Sequence, residues 1–314
     1  MSGLAFISVL VYYLFVLVGR VLSRVRLWLF EGDLFSVLAL PEAIVSRGGR
    51  LFGVHGVMAS IDVDSVVLGF YSRPPDVMVS GVSYGRRISG GPVFTGNRGS
   101  IYAGLVYEYV WGLRSLLRDA SKVASCITGA LVEGGVSWSR DGKVVVGVSK
   151  IGGRALVELL VDGFDVGNVK GCIGKVYGRV SDEGWLDEAL IPDVAVGRVK
   201  SEEWLRLTPR PYNVEAESSR EGFHVRFTGW VEEGLLHWVD VDGNFYASPP
   251  SQVLALIDNV QQVIPSEGLA YEFVAAWGTF IDTAGVTIDN IREAFYELIR
   301  KAGMENGDPL GRLR

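Results

Sequence analysis

The strongest chemical signal in the sequence is a glycine-rich segment from Gly85 to Ser100 that carries two adjacent arginines, Arg86 and Arg87. Glycines let backbone N–H groups turn inward and approach a ligand without obstruction by a Cβ atom. A nest of such amides binds anions, and the arginines add positive charge where the segment begins. The segment lacks the G-K-[ST] ending of a P-loop and the G-x-G-x-x-G spacing of a dinucleotide fingerprint. By composition alone two interpretations stay open: an anion-binding loop, and a flexible hairpin loop with two solvated arginines.

A second segment, Val148–Ala155, places Lys150 between apolar strand residues and the pair Gly152-Gly153. A lysine in this setting can lie close to a ligand, and its ammonium group can stabilise negative charge that develops on a phosphoryl group. The alternative is an exposed lysine at the end of a strand, which is far commoner in proteins. This segment alone does not choose between the two interpretations.

Taken together, the two segments resemble motifs of one enzyme family. Arg86-Arg87-Ile-Ser-Gly-Gly resembles the R-R-x-[ST]-G-G loop of lipoate–protein ligases, and Lys150-Ile-Gly-Gly-Arg-Ala resembles their K-I-x-G-x-A motif. The Asp141-Gly142 turn that leads into this lysine is also similar to the family's layout. Three later segments resemble the family's accessory domain, namely residues 222–227, 239–250 and 284–294. The resemblance covers residues 26–303 in the family's order.

The resemblance implies an α+β fold, with a mixed-sheet catalytic domain like those of biotin and lipoate ligases and a small α/β C-terminal accessory domain. It implies that ATP, with Mg²⁺, activates lipoate or octanoate to the acyl-AMP, and that the acyl group then passes to a lysine of a carrier protein. The expected carrier has a lipoyl domain, of the dehydrogenase E2 or glycine-cleavage H type. Lys150 would be the catalytic residue, offsetting charge in both transition states. The residues expected to bind substrate or nucleotide are Arg86, Arg87, Ser89, Gly90, Gly91, Gly99, Gly152, Gly153 and Ala155.

The loop departs from the family pattern at Pro92, Gly96 and Asn97, which stand where a third glycine and a later His-Asp pair are usual. Proline removes one amide donor from the nest. In a rival register, the stretch Lys143–Gly147 takes the place of the lysine motif and puts Val144 where the lysine should be, which would mean an inactive site. Two alternatives therefore stay open. One is an altered or inactive relative that binds a lipoyl group, a nucleotide or a carrier, and the other is an ATP-independent acyltransferase.

Hydrophobic periodicity predicts the scaffold of strands and helices that must position these segments. The clearest hairpin signal is Asp141-Gly142 between two strand-like runs, since Asp-Gly suits the positive φ angles of a type I′ turn. Helices are predicted from near residue 36 to 45 and at residues 109–128, 251–263 and 287–302. Strands are predicted near residue 26, within 49–82, and at 136–139, 143–148, 155–161, 224–229 and 235–241, whereas residues 101–109 fit either a strand or a helix. A mixed sheet with interspersed helices and a small trailing α/β unit is an α+β arrangement.

Prolines at positions 192, 209 and 211 punctuate the segment between residues 190 and 211, which predicts a domain boundary there. The predicted parts are an apolar segment at residues 1–24, a catalytic domain at 25–195, an accessory domain at 212–303 and a disordered tail at 304–314. The apolar run Leu4–Val18 is short for a membrane span and is followed by arginines. It is interpreted as a weak membrane anchor or as the product of a wrongly assigned start.

Charge and cysteine content limit the partners. The 314-residue chain has a formal net charge of −6, which argues against broad nucleic-acid binding because that requires a basic surface. Cys126 and Cys172 form no C-x-x-C pair, so neither a zinc site nor a disulfide framework is indicated, and no metal ligand is predicted. This cysteine usage fits a reducing, cytoplasmic setting, with membrane association through residues 4–18 as an alternative.

Overall fold

The computed structural model describes residues 24–46, 53–75, 78–108, 112–151, 153–187, 191–206 and 210–305. Three regions of interest lie outside the described residues: the apolar run Leu4–Val18, Gly152, and residues 306–314 of the predicted tail at 304–314. Strands and helices are both substantial, which confirms the predicted α+β class. Among the described residues, no helix is both long enough and apolar enough to cross a membrane.

A mixed sheet forms the centre of the N-terminal part of the chain. Within the described residues its strands are β1 Val25–Gly32, β2 Val54–Ile61, β6 Ile101–Glu108, β7 Val132–Glu133, β8 Val136–Trp138, β9 Lys143–Ile151, β10 Arg154–Asp162 and β11 Val180–Trp185. Their order is β11-β1-β2-β6-β10-β9-β8-β7. The β11–β1 and β1–β2 pairings are parallel, and the remaining pairings are antiparallel. Strands β9 and β10 are runs of valine and leucine, as expected for strands that are covered on both faces.

Helices cover both faces of this sheet. The N-terminal helices are α1 Leu34–Ser46, α2 Leu113–Thr128, α3 Val166–Tyr177, α4 Asp193–Lys200 and α5 Glu202–Leu205. Helices α1 and α4 share a core on one face, whereas α2 and α3 share a core on the other. The segment predicted as a domain boundary forms α4 and α5, and its Ala195 and Val199 are buried in the first of these cores.

Cys126 of α2 and Cys172 of α3 form a disulfide, although they are 46 positions apart in the sequence. The expectation that these isolated cysteines form no disulfide is therefore wrong. The reason is that α2 and α3 lie side by side on the same face of the sheet, which brings the two Cα atoms to 5.6 Å, within the range that a disulfide requires. The pairing also removes the cysteine-based argument for a reducing setting.

Strands β8 and β9 form the predicted hairpin, but its turn is not of type I′. Gly142 does not adopt a positive φ, and the turn is closed by the N–H of Ser139, which donates to the carbonyl of Gly142 at 2.9 Å. A Cβ atom on Gly142 would lie 2.0 Å from the carbonyl oxygen of Asp162. Glycine is therefore required here by the close approach of the end of β10, and not by a left-handed backbone.

A small three-stranded sheet carries the glycine-rich segment. Its strands are β3 Ser65–Leu68, β4 Ser83–Arg86 and β5 Phe94–Gly96. Strand β3 lies in the middle, parallel to β4 and antiparallel to β5. Residues 86–92, which we name the arginine–glycine loop, connect β4 to β5.

The C-terminal part of the chain has a further core. It contains β12 Val214–Arg220, β13 Phe223–Glu232, β14 Leu235–Gly243, α6 Pro250–Asp258, α7 Glu267–Phe280 and α8 Ile288–Glu305. The short strands β15 Tyr246–Ser248 and β16 Asp282–Ala284 pair with each other, and their Tyr246 and Ala284 join the core of α2 and α3. The sequence predicted β13, β14, α6 and α8 but missed β12 and α7. Phe70 and Tyr71 join the C-terminal core, so the two parts are packed together, and their division into domains stays a prediction.

Candidate functional site

The arginine–glycine loop is held closely on two strands. The N–H of Arg87 donates to the carbonyl of Leu68 on β3 at 3.0 Å, and the carbonyl of Ser89 accepts from the N–H of Phe70 at 2.8 Å. On the other side lies Gly147 of β9, where a Cβ atom would come within 2.1 Å of Ser89 Oγ. A glycine at this point of β9 is therefore what lets the loop seat on the sheet.

The side chain of Arg86 is buried and fixes the beginning of the loop. Its Nε donates to the carbonyl of Leu205, at 3.0 Å, and its Nη1 lies 2.8–2.9 Å from the carbonyls of Gly69, Phe70 and Ser72. Burial, together with the nearby charge of Arg206, lowers the pKa of Arg86 to about 9. Arg86 thus ties the loop to the segment that follows β3 and to α5 through backbone carbonyls.

Arg87 is fully buried, and its hydrogen bonds stay mostly within the loop. Its Nε donates to Ser89 Oγ at 3.1 Å, and its Nη2 donates to the carbonyls of Gly90 and Pro92 at 3.1 and 2.8 Å. Its Nη1 has no hydrogen-bond partner among the described residues. Burial lowers the pKa of the Arg87 guanidinium, while the opposite charge of Glu158 acts against this shift. Pro92 therefore contributes an acceptor for Arg87 although it cannot donate.

Glu158 of β10 lies beneath the loop and is also fully buried. Its Oε2 accepts from the N–H of Ser89 at 3.1 Å, and its Oε1 accepts from the hydroxyl of Tyr102 at 2.9 Å. Burial raises the pKa of this carboxyl, and Arg87 opposes that effect. The sequence did not single out Glu158. The available signal was a lone acidic residue inside the apolar run of β10.

The two loop glycines face the C-terminal part of the chain. The N–H of Gly91 donates to the carbonyl of Phe245 at 2.9 Å. A Cβ atom on Gly90 would lie 2.6 Å from that carbonyl oxygen, and one on Gly91 would lie 2.6 Å from the ring of Tyr246. The hydroxyl of Tyr246 donates to the carbonyl of Val146 on β9 at 2.9 Å. The glycines that were predicted to admit a ligand thus admit Phe245 and Tyr246 in this structure.

Lys150 does not share a face of β9 with the loop. Side chains alternate along a strand, so Lys150 leaves the face opposite to that of Gly147. Its Nζ forms an ion pair with Oδ2 of Asp282 on β16 at 2.8 Å, and the same oxygen accepts from the N–H of Leu113 at 2.8 Å. The backbone of Lys150 is bound by Ser248, whose hydroxyl accepts from its N–H and donates to its carbonyl, both at 3.0 Å.

The other predicted residues lie at the turns and in the sheet. Gly99 and Gly153 have φ angles of +94° and +81°, and a Cβ atom at either would meet nothing within 4 Å. They serve tight turns that precede β6 and β10. Ala155 is buried and pairs with Lys150 across β9 and β10, whereas Gly152 lies outside the described residues. The structure therefore gathers Arg87, Ser89, Gly90 and Gly91 with Glu158, and places Lys150 elsewhere.

No protein-family model matches the sequence, and no curated protein matches it. Solved structures do match. LipL1 of P. falciparum, solved in complex with lipoate, is similar with a TM-score of 0.59 and 8% sequence identity, over 86% of this chain and 98% of that chain. The chain has the lipoate–protein ligase fold. Lipoate-protein ligase A bound with ATP and a bi-partite lipoate protein ligase from Thermoplasma acidophilum are similar with TM-scores of 0.47 and 0.46 and identities of 13% and 12%, over 59% and 62% of this chain and 100% of theirs.

In this lipoate–protein ligase fold, the lysine of β9 that shares a face with the loop is Lys143. It is four positions before Gly147, and its Nζ donates to Thr95 Oγ1 on β5 at 2.7 Å. The ammonium lies 5.6 Å from the centre of the Phe94 ring and 5.1 Å from that of Trp138. In the rival register Val144 takes the place of the motif lysine, whereas strand alternation would have pointed to Lys143 as the lysine facing the loop.

A cleft of about 420 Å³ adjoins the arginine–glycine loop on the side of Arg86. It lies between the segment that follows β3, α5 and the C-terminal part of the chain, and its walls include Arg73, Arg206, Arg210 and Asp240. The guanidinium of Arg206 lies over the ring of Phe70, with 5.4 Å to the ring centre. The cleft has the size of a small-molecule site, and Arg86 is the predicted site residue that reaches it.

Proposed function

We propose that the protein is a lipoate–protein ligase-like enzyme. It activates lipoate or octanoate with ATP and transfers the acyl group to a lysine of a lipoyl-domain carrier, of the dehydrogenase E2 or glycine-cleavage H type. Two things support this proposal: the lipoate–protein ligase fold, and the arginine–glycine loop of residues 86–92 seated on β9.

The observation that carries the proposal is the unused hydrogen-bonding capacity beside the loop. Arg87 Nη1 is buried without a partner, and so is the hydroxyl of Ser149. Ser149 leaves β9 on the same face as Gly147, which is the face that the loop covers. A buried donor without a partner costs about 1–3 kcal/mol. An oxygen of a carboxylate or a phosphoryl group in reach of these donors would recover that cost, so the residues present fit such a ligand.

The proposed reaction has two steps. In the first, an oxygen of the lipoate carboxylate bonds to the α-phosphorus of ATP, the bond to the β-phosphate oxygen breaks, and pyrophosphate leaves. In the second, the carrier amine attacks the acyl carbonyl, AMP leaves with the electron pair, and the amine loses a proton. Arg87 and the loop amides would hold the oxygens on which charge develops. Mg²⁺ would neutralise phosphate charge; it is usually held by substrate phosphates and one or two carboxylates, and the described residues contain no cluster of three or more metal-ligating side chains.

Access to the loop requires a movement of the C-terminal part. Phe245 and Tyr246 cover Gly90 and Gly91, and a ligand cannot take the same space. We propose that β15 leaves the loop when substrate binds, so that the N–H of Gly91 becomes available to it. The assisting lysine would then be Lys150, freed from Asp282, or Lys143, which already faces the loop.

The experiment is lipoate-dependent exchange of pyrophosphate into ATP, measured on the full chain. Lys150→Ala and Lys143→Ala are compared with wild type, and Lys122→Ala, an exposed lysine of α2, is the matched control. Exchange in wild type and in the control, with loss of activity in one of the two β9 variants, would support the proposal and identify the lysine. No exchange in any folded form would overturn it.

A second candidate is a non-catalytic relative that keeps the fold and binds a lipoyl group, a nucleotide or a carrier. It is favoured because two backbone amides of the loop already have acceptors within the chain: the N–H of Ser89 donates to Glu158, and the N–H of Gly91 donates to the carbonyl of Phe245. Binding of lipoate or ATP by calorimetry, with no exchange, would support this candidate. An acyltransferase with a cysteine nucleophile is not supported, because Cys126 and Cys172 are joined.

A further inference from the structure

A carboxylate inside the protein lies where the loop would be expected to hold an external anion. The loop offers the two groups that bind oxyanions, which are backbone amides and a guanidinium. The Ser89 amide donates to Glu158 Oε2 at 3.1 Å, and Arg87 is the cation whose charge acts on this carboxylate. The Ser89 amide is therefore bound by a side chain of the chain itself, and the same side chain carries the charge that opposes that of Arg87.

The burial of the Glu158 carboxylate costs free energy unless hydrogen bonds and an opposite charge compensate it. Glu158, Arg87 and Ser89 are all fully buried, and a buried carboxylate is stable only when hydrogen bonds and an opposite charge replace its water. Tyr102 supplies the second hydrogen bond, at 2.9 Å. Arg87 makes no hydrogen bond to Glu158, and its Nη1 is without a partner. The compensation is thus partial, and one donor is left for another ligand.

We propose that Glu158 is the resident anion of the arginine–glycine loop, a positioning residue that competes with an incoming anion for the Ser89 amide and for the charge of Arg87. When Glu158 is ionised, the loop binds an external oxyanion weakly. When Glu158 is neutral, its charge no longer repels a sulfate, phosphate or carboxylate group, and the charge of Arg87 is available to that group. This inference does not depend on the proposed enzyme activity, because it concerns binding alone.

The ionisation of Glu158 makes the competition depend on pH. Burial raises the pKa of the Glu158 carboxyl, and Arg87, Ser89 and Tyr102 oppose this. The charged or titratable groups that act on the pair are Arg87 from the loop, Tyr102 from β6 and Tyr246 from β15. The two tyrosines have pKa values raised by burial, so they stay neutral at working pH. Glu158 is then the group of this cluster that titrates.

The test is the affinity of inorganic sulfate for the full chain, because sulfate remains a dianion from pH 5 to 8 and does not titrate itself. Calorimetry compares wild type with Glu158→Gln, which keeps an acceptor for the Ser89 amide. The matched control is Glu133→Gln, an exposed glutamate of β7 with the same change of charge. A unit charge a few ångströms away is worth about a factor of ten or more in affinity at an effective dielectric constant of ~20. We expect Glu158→Gln to bind sulfate about tenfold or more tightly than wild type at pH values above the pKa of Glu158, and the control to match wild type.

A second variant keeps the proposal testable if Glu158→Gln does not fold. In wild type, sulfate affinity should increase as pH falls through the pKa of Glu158. Tyr102→Phe removes a hydrogen bond that lowers this pKa, so the midpoint of the increase should move to higher pH. Equal affinities in the two glutamate variants, an unmoved midpoint in Tyr102→Phe, or no sulfate binding by any form would overturn the proposal.

Discussion

Opening the Cys126–Cys172 disulfide should lower the free energy of unfolding by about 4 kcal/mol. The bridge closes a chain segment of 46 positions, and loop-closure entropy gives about 13.5 cal/mol/K for this length, or about 4 kcal/mol at 25 °C. The reduced thiols would remain between α2 and α3 and would separate only to non-bonded distance, so we expect the packing to change little. The loss is therefore expected to arise mainly from the greater freedom of the unfolded chain.

Guanidinium unfolding, followed by tryptophan fluorescence, measures this difference on protein purified without reductant. Wild type is compared with and without reductant, and with the double variant Cys126→Ala, Cys172→Ala. The double variant controls for the reductant, because its unfolding should not respond to it. Two titratable thiols in the denatured, non-reduced wild type would refute the pairing of the cysteines. A stability difference below about 1 kcal/mol would refute the entropic argument for its size.

Three further predictions concern contacts of β9 and β10. Asp282→Asn should lower the free energy of unfolding by roughly 1 kcal/mol, because its ion pair with Lys150 is partly exposed and screened. A double-mutant cycle with Lys150→Met measures the coupling energy between the two side chains, and a coupling energy of zero would contradict this prediction. Tyr246→Phe should cost about 1–2 kcal/mol in urea unfolding, because a buried carbonyl of β9 loses its donor; wild-type stability would contradict this. The raised pKa of Glu158 means that the folded chain binds this proton more tightly, so stability should fall as pH rises from the ordinary carboxyl pKa through the raised one. The same pH slope in Glu158→Gln would contradict this.

Much of the fold could be predicted because its central elements are strongly periodic. The valine and leucine runs of β9 and β10 and the amphipathic α2 carry their structure in their own sequence. Strand β12 was missed because Val214–Arg220 is rich in charged and small residues and has only a weak apolar alternation. Helix α7 was missed because Glu267–Phe280 contains two glycines and several aromatic residues, which have modest helix propensity. Both elements form because the C-terminal core buries their apolar sides.

The candidate site could be predicted only in part, since its loop is local and its partners are distant. The arginine–glycine loop can be recognised in the sequence from its arginines and glycines. The groups that satisfy it come from elsewhere: Glu158 is 69 positions beyond Ser89, and Phe245 is further still. Lys150 was a reasonable choice by motif, and its alternation with Gly147 was a signal that it points away from the loop. Its partner Asp282, 132 positions later, could not be inferred from spacing.

The C-terminal part stabilises the same surfaces that it covers. Asp282 binds Lys150 and also caps the first turn of α2 by accepting from Leu113, where the helix dipole favours a negative charge. The carbonyl of Phe245 meanwhile accepts from the N–H of Gly91, and the hydroxyl of Tyr246 donates to the carbonyl of Val146 on β9. In the proposed movement of β15, a ligand that reaches Arg87 replaces these contacts as well as making its own. Stability and access to the loop are opposed in this chain, so a substitution that loosens β15 should weaken the fold and strengthen ligand binding together.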